Sequence, residues 1–283
     1  METSIQSSPP RSRAWLRWLD YGFYVLVAIA LGGFLYYLYS SRVLLIRYFP
    51  FLVQATVTTL GISITSMVLA MVLGGIGAWG RLSKWALVRG VAIVYVEVVR
   101  GTPTLVQLLL WGFGIGTVMS QLGFDPRALA FNLLTPLQSN SLVSPVFNFI
   151  FYGVLGLSFN YGAYLTEVFR AGIESISRGQ TEAALSLGLD SVQTMGRIVL
   201  PQAIRLTIPP FTNNFITLIQ DSALLSTIGV TELQQVTSSF AYPLTNPNDK
   251  LFVFILGALF YLALCYPLSR LARYLERKLA KGA

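Results

Sequence analysis

The sequence predicts an all-α polytopic membrane protein with about six transmembrane helices. Three observations lead there. Of 283 residues, 54% are hydrophobic and only 11% are charged, against about 25% charged in soluble domains. Mean hydropathy is +0.63. Six apolar stretches, most of them near the ~20 residues a helix needs to cross a bilayer, divide the chain, and the basic residues between them are unevenly shared.

The stretches follow in order. Residues 1–13 are polar, Pro/Ser-bearing and without periodicity, so they read as disordered within a tail over 1–20. Residues 21–39 are uncharged and bracketed by Tyr21 and Tyr39, which suit the membrane–water interface. Arg11, Arg13 and Arg17 flank this run like the basic end of a signal peptide. Yet it exceeds the 7–15 residues of a signal core and no small-x-small site follows, so an uncleaved anchor is expected. Residues 49–80 are uncharged over 32 positions, enough for one long or tilted helix. Residues 86–119 are apolar apart from Arg89, Glu97 and Arg100. Residues 121–145 hold three prolines and read as an outer loop with a short surface helix. Residues 146–166 and 251–269 are uncharged, and 206–230 holds a single acid, Asp221. No internal repeat is evident.

Basic residues orient the chain, because Lys and Arg accumulate in cytoplasmic loops. With the N-terminus inside, fifteen of the twenty Lys and Arg fall on the cytoplasmic side. Arg42, Arg47, Arg127 and Lys250 fall outside, and Arg100 lies within a span. Both termini, including the tail over 276–283, are therefore expected in the cytoplasm, and lipid is the surrounding medium.

Composition also excludes. There is no histidine and only one cysteine, Cys265, so no His-containing zinc site, intrachain disulfide or cysteine-held cluster is expected. No metal and no cofactor is predicted. The Walker-type G-x-x-x-x-G-K-[ST] sequence is missing, so ATP is not held in the P-loop manner. The net charge of +8 reads as cytoplasmic loop charge and not as a nucleic-acid surface. No catalytic residue is predicted, since the spans offer neither His nor an acid cluster.

The polar stretch 167–205 is too long for a simple turn. Thr181–Leu187 is a good short helix former, and Gly188 sits where a left-handed cap would end it. Ser191-Val192-Gln193-Thr194 begins another short helix, which Pro201 ends or kinks. On composition alone this is either an amphipathic segment on the bilayer or a docking knob for a soluble partner.

A resemblance favours the knob. Glu182-Ala183-Ala184, three residues, Gly188, nine residues, then Ile198-x-Leu200-Pro201 resembles the E-A-A loop of bacterial ABC importer permeases. Residues 96–107, with Glu97, Arg100, Gly101, Thr102, Pro103 and Gln107, resemble the E-x-x-R-G-T-P-x-x-x-Q block of the polar amino-acid subfamily (histidine, glutamine and arginine permeases). Ala163-Tyr164-x-x-Glu167-x-x-Arg170, Gly179-Gln180-x-Glu182-Ala183-Ala184 and 209–225 are similar to three more of its blocks. Five blocks in order cover roughly 50–275.

The resemblance implies a five-helix type I ABC importer core over 49–275. Its coupling loop would span about 171–205, and 21–48 would add an extra helix and outer loop. It implies a permease subunit carrying a polar amino acid across the bacterial inner membrane. ATP hydrolysis would lie on a separate cytosolic ABC ATPase. A second permease subunit, the same chain or a homologue, and an extracytoplasmic solute-binding protein complete the set. Glu182, Ala183, Ala184, Gly188, Ile198 and Pro201 are the implied coupling residues. For Glu182 the simpler alternative is a charge at the positive end of its helix. A free-standing secondary transporter or channel is the alternative function. It would carry its own coupling acids in the spans, and only Asp221 lies deep enough.

Two further sets stand out. Glu97 and Arg100, like Glu167 and Arg170, are three apart on one helix face, which predicts structural ion pairs or a gate. In the fifth span, at about 100° per residue, Asn213, Asn214, Thr217, Gln220 and Asp221 fall within about 120° of arc. With the adjoining Ser222 they form a polar stripe. It serves either helix–helix hydrogen bonding or a substrate path. In the resembling subfamily the segment helps form the substrate pocket, often with Glu at the Asn214 position and Lys at the Gln220 position. Neutral amides at both imply a neutral or acidic polar amino acid over arginine or lysine.

Overall fold

A computed structural model describes residues 14–123, 128 and 147–280. The expected disordered segment 1–13 and most of the outer loop 121–145 lie outside the described residues. Among those described there are only helices and turns. The chain divides into two compact units, 1–48 and 49–283.

Helix α1 covers Ala14–Ser40 and α2 covers Arg42–Arg81. At 1.5 Å per residue, α2 is about 60 Å long, roughly twice the hydrocarbon thickness. The apolar run 49–80 therefore makes one continuous helix and extends it at both ends. Helix α3 is Ala86–Arg100 and α4 is Thr104–Leu109; a π-turn over Leu110–Ile115 leads into α5, Gly116–Gln121. Helix α6 is Phe147–Glu174. The loop helices are α7, Arg178–Ser186, and α8, Ser191–Thr194. A second π-turn, Met195–Val199, feeds α9, Leu200–Asp221, and a 3-10 turn, Ser222–Ile228, follows it. Helices α10, Leu233–Ala241, and α11, Pro247–Ala280, complete the chain.

Among the described residues, three helices are by themselves long and apolar enough to cross a membrane: α1, α2 and α11. The α3–α4 pair qualifies together but is bent by 105°. The expectation of one straight span over 86–119 is thereby corrected. Pro103 starts α4 with no backbone N–H to continue α3. The buried Gln107 side chain then fixes the break. Its amide donates to Val99 O at 2.7 Å, to Thr102 O at 3.1 Å and to Thr102 Oγ1 at 2.8 Å, and its Oε1 accepts from Asn160 of α6 at 3.1 Å. Helices α6 and α9 run 28 and 22 residues, long enough to span. They are less apolar because Ser158, Asn160, Thr166, Thr207 and Thr212 are buried inside the bundle, where hydroxyls back-bond to carbonyls one turn away.

Two further expectations change. The span 206–230 is not one α-helix: α9 stops at Asp221, and the tighter 3-10 turn ends at Gly229, which takes φ +82°. Pro201 does not end its helix. The π-turn directly before it widens the coil where the proline ring would strike the carbonyl four residues back, and Pro201 sits in the first turn of α9.

The core lies where α2, α4, α6, α9 and the 3-10 turn meet, around Met67, Ala70, Leu108, Leu157, Leu165 and Leu225. Small residues let α2 and α6 approach closely. A β-carbon at Gly74 would come 2.6 Å from Leu165 Cβ, and one at Gly77 would overlap Thr166 Oγ1. Gly75, between them, faces open space. Gly77→Leu is therefore expected to destabilise the bundle by about 1–3 kcal/mol or more, as overpacking does, seen as earlier thermal unfolding of purified protein. Gly75→Leu in the same helix is expected to melt at or above the wild-type temperature. Equal melting of both variants would contradict the α2–α6 packing.

Candidate functional site: a helical knob and a polar stripe

The loop between α6 and α9 folds into a compact knob. Helix α7 begins at Arg178, three residues before the helix read from sequence. Its end is a full left-handed cap. Gly188 has φ +86°; its N–H donates to Leu185 O at 3.0 Å, and Leu189 N–H donates to Ala184 O at 3.2 Å. Asp190 then starts α8 with a capping box. Its carboxylate accepts from Gln193 N at 2.8 Å, while Gln193 Oε1 accepts from Asp190 N at 3.2 Å. That box is written in the sequence as Asp-x-x-Gln.

Residues at the knob's tip are exposed. Leu187 and Val192 are 84% and 81% exposed, and Glu182 is exposed as well. With the helix starting at Arg178, Glu182 is its fifth residue and the first turn holds no acid. Its carboxylate is therefore too far along to serve the helix N-terminus. Ala183 is exposed and Ala184 buried, while Ile198 and Pro201 belong to the π-turn and α9 that carry the knob. Gln202 of α9 ties the two parts together, donating to Gln180 Oε1 at 2.6 Å and to Ile198 O at 2.9 Å.

Above the knob sits a charge cluster on α6. Arg170 pairs with Glu167 at 2.6 Å and also with Glu174. Arg81, from the end of α2, brings its Nε to 3.1 Å from Glu167 Oε1. Glu167–Arg170 thus pairs as its spacing predicts. Glu97 and Arg100 do not, among the described residues. Arg100 is the last residue of α3, and its guanidinium turns onto the Tyr164 ring of α6 at 5.3 Å. Glu97 and Arg100 instead line a cavity of about 330 Å³ with Gly101 and Tyr164. A second cavity, about 510 Å³, runs from Arg100, Tyr164 and Glu167 to Pro210 and Asn214 of α9.

The polar stripe of α9 divides in two. Asp221 and Asn214 are half-buried on the α6 side. Asp221 Oδ2 accepts from Tyr161 Oη at 2.8 Å, and Asn214 Nδ2 donates to Pro210 O at 2.8 Å. Ser222 is buried and donates to Ile219 O at 2.7 Å. Asn213, Thr217 and Gln220 are exposed, although they lie in the middle of the fifth span. Thr217 satisfies itself on Asn213 O at 3.0 Å. Sequence reasoning missed Tyr161 as the Asp221 partner and Arg81 as the third charge on Glu167, because neither is near its partner in sequence.

It also missed Glu232, which lies between the fifth and sixth spans. Fully buried, this carboxylate accepts from Gln234 N, Gln235 N and Tyr261 Oη at 2.7–2.9 Å. It caps α10, whose first N–H also reaches Thr59 of α2 at 3.0 Å, so its role is structural.

Residues 84–281 match the family described as the inner membrane component of binding-protein-dependent transport systems. The chain belongs to that family. The permease is 34% identical over 87% of its length to the arginine transport system permease protein ArgU of Corynebacterium glutamicum, covering 71% of that protein. It is 35% identical to the L-cystine transport system permease protein TcyB of Bacillus subtilis, over 82% of this chain and 88% of that one. The glutamine transport system permease protein GlnP of Escherichia coli is 30% identical, with coverages of 81% and 93%. Among solved structures, an amino acid ABC transporter with histidines superposes with a TM-score of 0.66 at 29% identity, over 83% of this chain and 96% of that one. The MetNI methionine ABC transporter shares the fold at a TM-score of 0.55 and 17% identity, over 79% and 95%. The permease therefore has the ABC importer membrane-subunit fold and is a multi-pass membrane protein.

Proposed function

We propose that this permease carries a polar amino acid across the bacterial cytoplasmic membrane as one of two membrane subunits of an ABC importer. The second subunit is a copy of this chain or a homologue. ATP is hydrolysed on separate cytosolic chains, and an extracytoplasmic binding protein delivers the substrate. The chain itself has no enzymatic role in this reading. Its transport core spans 49–275, and both termini are cytoplasmic.

The exposed row Asn213, Thr217 and Gln220 on α9 carries the proposal. Thr217 bonds its own helix, but the side-chain amides of Asn213 and Gln220 would cost several kcal/mol each if left unpaired against hydrocarbon. Such a face belongs against a water-lined path or a second subunit, and a path between two subunits supplies both. The relatives' names range over arginine, cystine and glutamine. The neutral amides Asn214 and Gln220 favour a neutral or acidic polar amino acid here.

The geometry suggests how ATP closure reaches that path. The knob's exposed face, with Glu182, Leu187 and Val192, docks in a groove of the ATPase. The same loop runs through the 195–199 turn without a break into α9. Helix α9 is about 33 Å long at 1.5 Å per residue, so a pull on the knob is delivered to Asp221 at its far end. The Glu167 cluster ties that movement to α2 through Arg81 and, through the shared cavity, to Arg100 at the α3–α4 break.

Isolation of the tagged permease from membranes tests the assembly. A P-loop ATPase is expected to co-purify in stoichiometric amount, and its absence would favour a secondary carrier. A reporter active only in the periplasm, fused after Ala283, is expected to be silent; activity there would reverse the orientation.

A further inference from the structure

An apolar groove in the permease shares Thr207 with the cavity described above but holds none of the residues assigned to the path. About 800 Å³ in volume, it lies between α2, the end of α6 and the start of α9. Met71, Gly75 and Trp79 form one wall, Phe169 the floor, and Ile204 and Ile208 the other wall. From Met71 to Leu82 it extends about 16 Å along α2, close to half of the ~30 Å hydrocarbon core. Its depth is therefore that of a single leaflet.

The rim differs from the walls. Trp79 and Trp85, at 71% and 74% exposed, mark headgroup level. Arg81 and Lys84 flank the lining residues Leu82 and Ser83 in sequence, and Arg205 follows the lining residue Ile204. No acid occurs between Arg81 and Glu97 or between Asp190 and Arg205; on α6, Glu167 and Glu174 lie near the lining residues Phe169 and Ile173, and both are paired with Arg170. Arg81 is engaged by Glu167; Lys84 is exposed beside Ser83, which lines the groove.

The position of the groove on α9 separates it from the subunit-facing side. Ile204 and Ile208 precede Asn213 and Thr217 by nine residues each, or about 180° around the helix at 100° per residue. In the proposed assembly, on which this step rests, the exposed row Asn213, Thr217 and Gln220 faces the second subunit. The groove then faces lipid.

We infer that the groove binds one anionic phospholipid of the inner leaflet, with an acyl chain between α2 and α9 and its phosphate at the Lys84 turn. A basic rim over a leaflet-deep apolar slot matches an anionic headgroup on an acyl chain. The bound lipid touches the coupling apparatus, because Ile173 and Met195 line both this groove and the smaller cavity beneath α7 and α8.

The test is native mass spectrometry of the full-length permease, released from nanodiscs of equal phosphatidylglycerol and phosphatidylethanolamine with matched chains. Wild type is expected to retain one phosphatidylglycerol per chain, at least tenfold over phosphatidylethanolamine. Gly75→Phe enters open space, so it is expected to fold yet lose retention of both lipids. Lys84→Glu is expected to abolish the headgroup preference while keeping retention. No retained lipid in wild type, equal retention of the two lipids, or unchanged binding in Gly75→Phe would overturn the site. Ile204→Cys adds a control, since the native Cys265 is buried. Efficient disulfide linkage of two copies through position 204 would make the groove a subunit interface and refute the lipid. None of these readouts depends on transport, so failure here is distinct from failure of the importer reading.

Discussion

Asp221→Asn is expected to lower amino-acid uptake by about tenfold to a hundredfold in the reconstituted importer, with insertion and ATPase association intact. The carboxylate is half-buried and accepts from Tyr161 Oη at 2.8 Å. It is the one acid of the fifth span and adjoins the exposed stripe. An amide of the same shape still accepts from Tyr161, so the fold is preserved. What disappears is the negative charge available to a substrate α-ammonium group. Hydrogen bonds to charged groups contribute about 1.5–3 kcal/mol, and 1.4 kcal/mol is a factor of ten, which sets the range. Uptake competition completes the measurement: glutamine or another neutral polar amino acid should compete, and arginine weakly. Wild-type uptake in the mutant, or strong competition by arginine, would remove the pocket from this face of α9.

Gly188→Val and Glu182→Lys are expected to cut solute-stimulated ATPase activity at least tenfold in the assembled complex without preventing insertion. They act by different routes. Gly188 holds φ +86° in the cap between α7 and α8, a region that costs an L-residue about 1–2 kcal/mol and a β-branched one more. Valine therefore reshapes the knob's tip. Glu182 is exposed and too far along α7 to cap it. Lysine there leaves the helix unchanged and reverses only the charge offered to a partner. If both variants couple normally, transmission runs elsewhere. If only Gly188→Val fails, knob shape matters and the Glu182 contact does not.

Local chemistry is why so much was legible in the sequence. The apolar runs, the Gly188 turn and the Glu167–Arg170 pair each depend on residues within a few positions of one another. Periodicity, cap preference and i,i+3 spacing are sufficient for these. The same logic carried the polar stripe, since a helix presents residues three, four and seven apart on one side. The ends of the spans were less legible. Helix α2 gains seven residues before 49 and α11 gains eleven after 269, because a helix does not stop where apolarity does.

The tertiary structure alone decided what met across elements. Spacing predicts Glu97 with Arg100, but Tyr164 of α6 takes the guanidinium. Gly101 and Pro103 hint at a weak point, and it is Gln107 reaching back to Val99 that turns the span by 105°. Tyr161 finds Asp221 sixty residues away, and Arg81 finds Glu167 across two helices. Gly77 and Gly75 look alike in sequence, yet one is pressed on Thr166 and the other opens on the groove. Hydropathy and spacing describe one helix at a time. Which side chains share a hydrogen bond, a cavity or a close approach depends on how helices pack, and that is fixed by the whole bundle together.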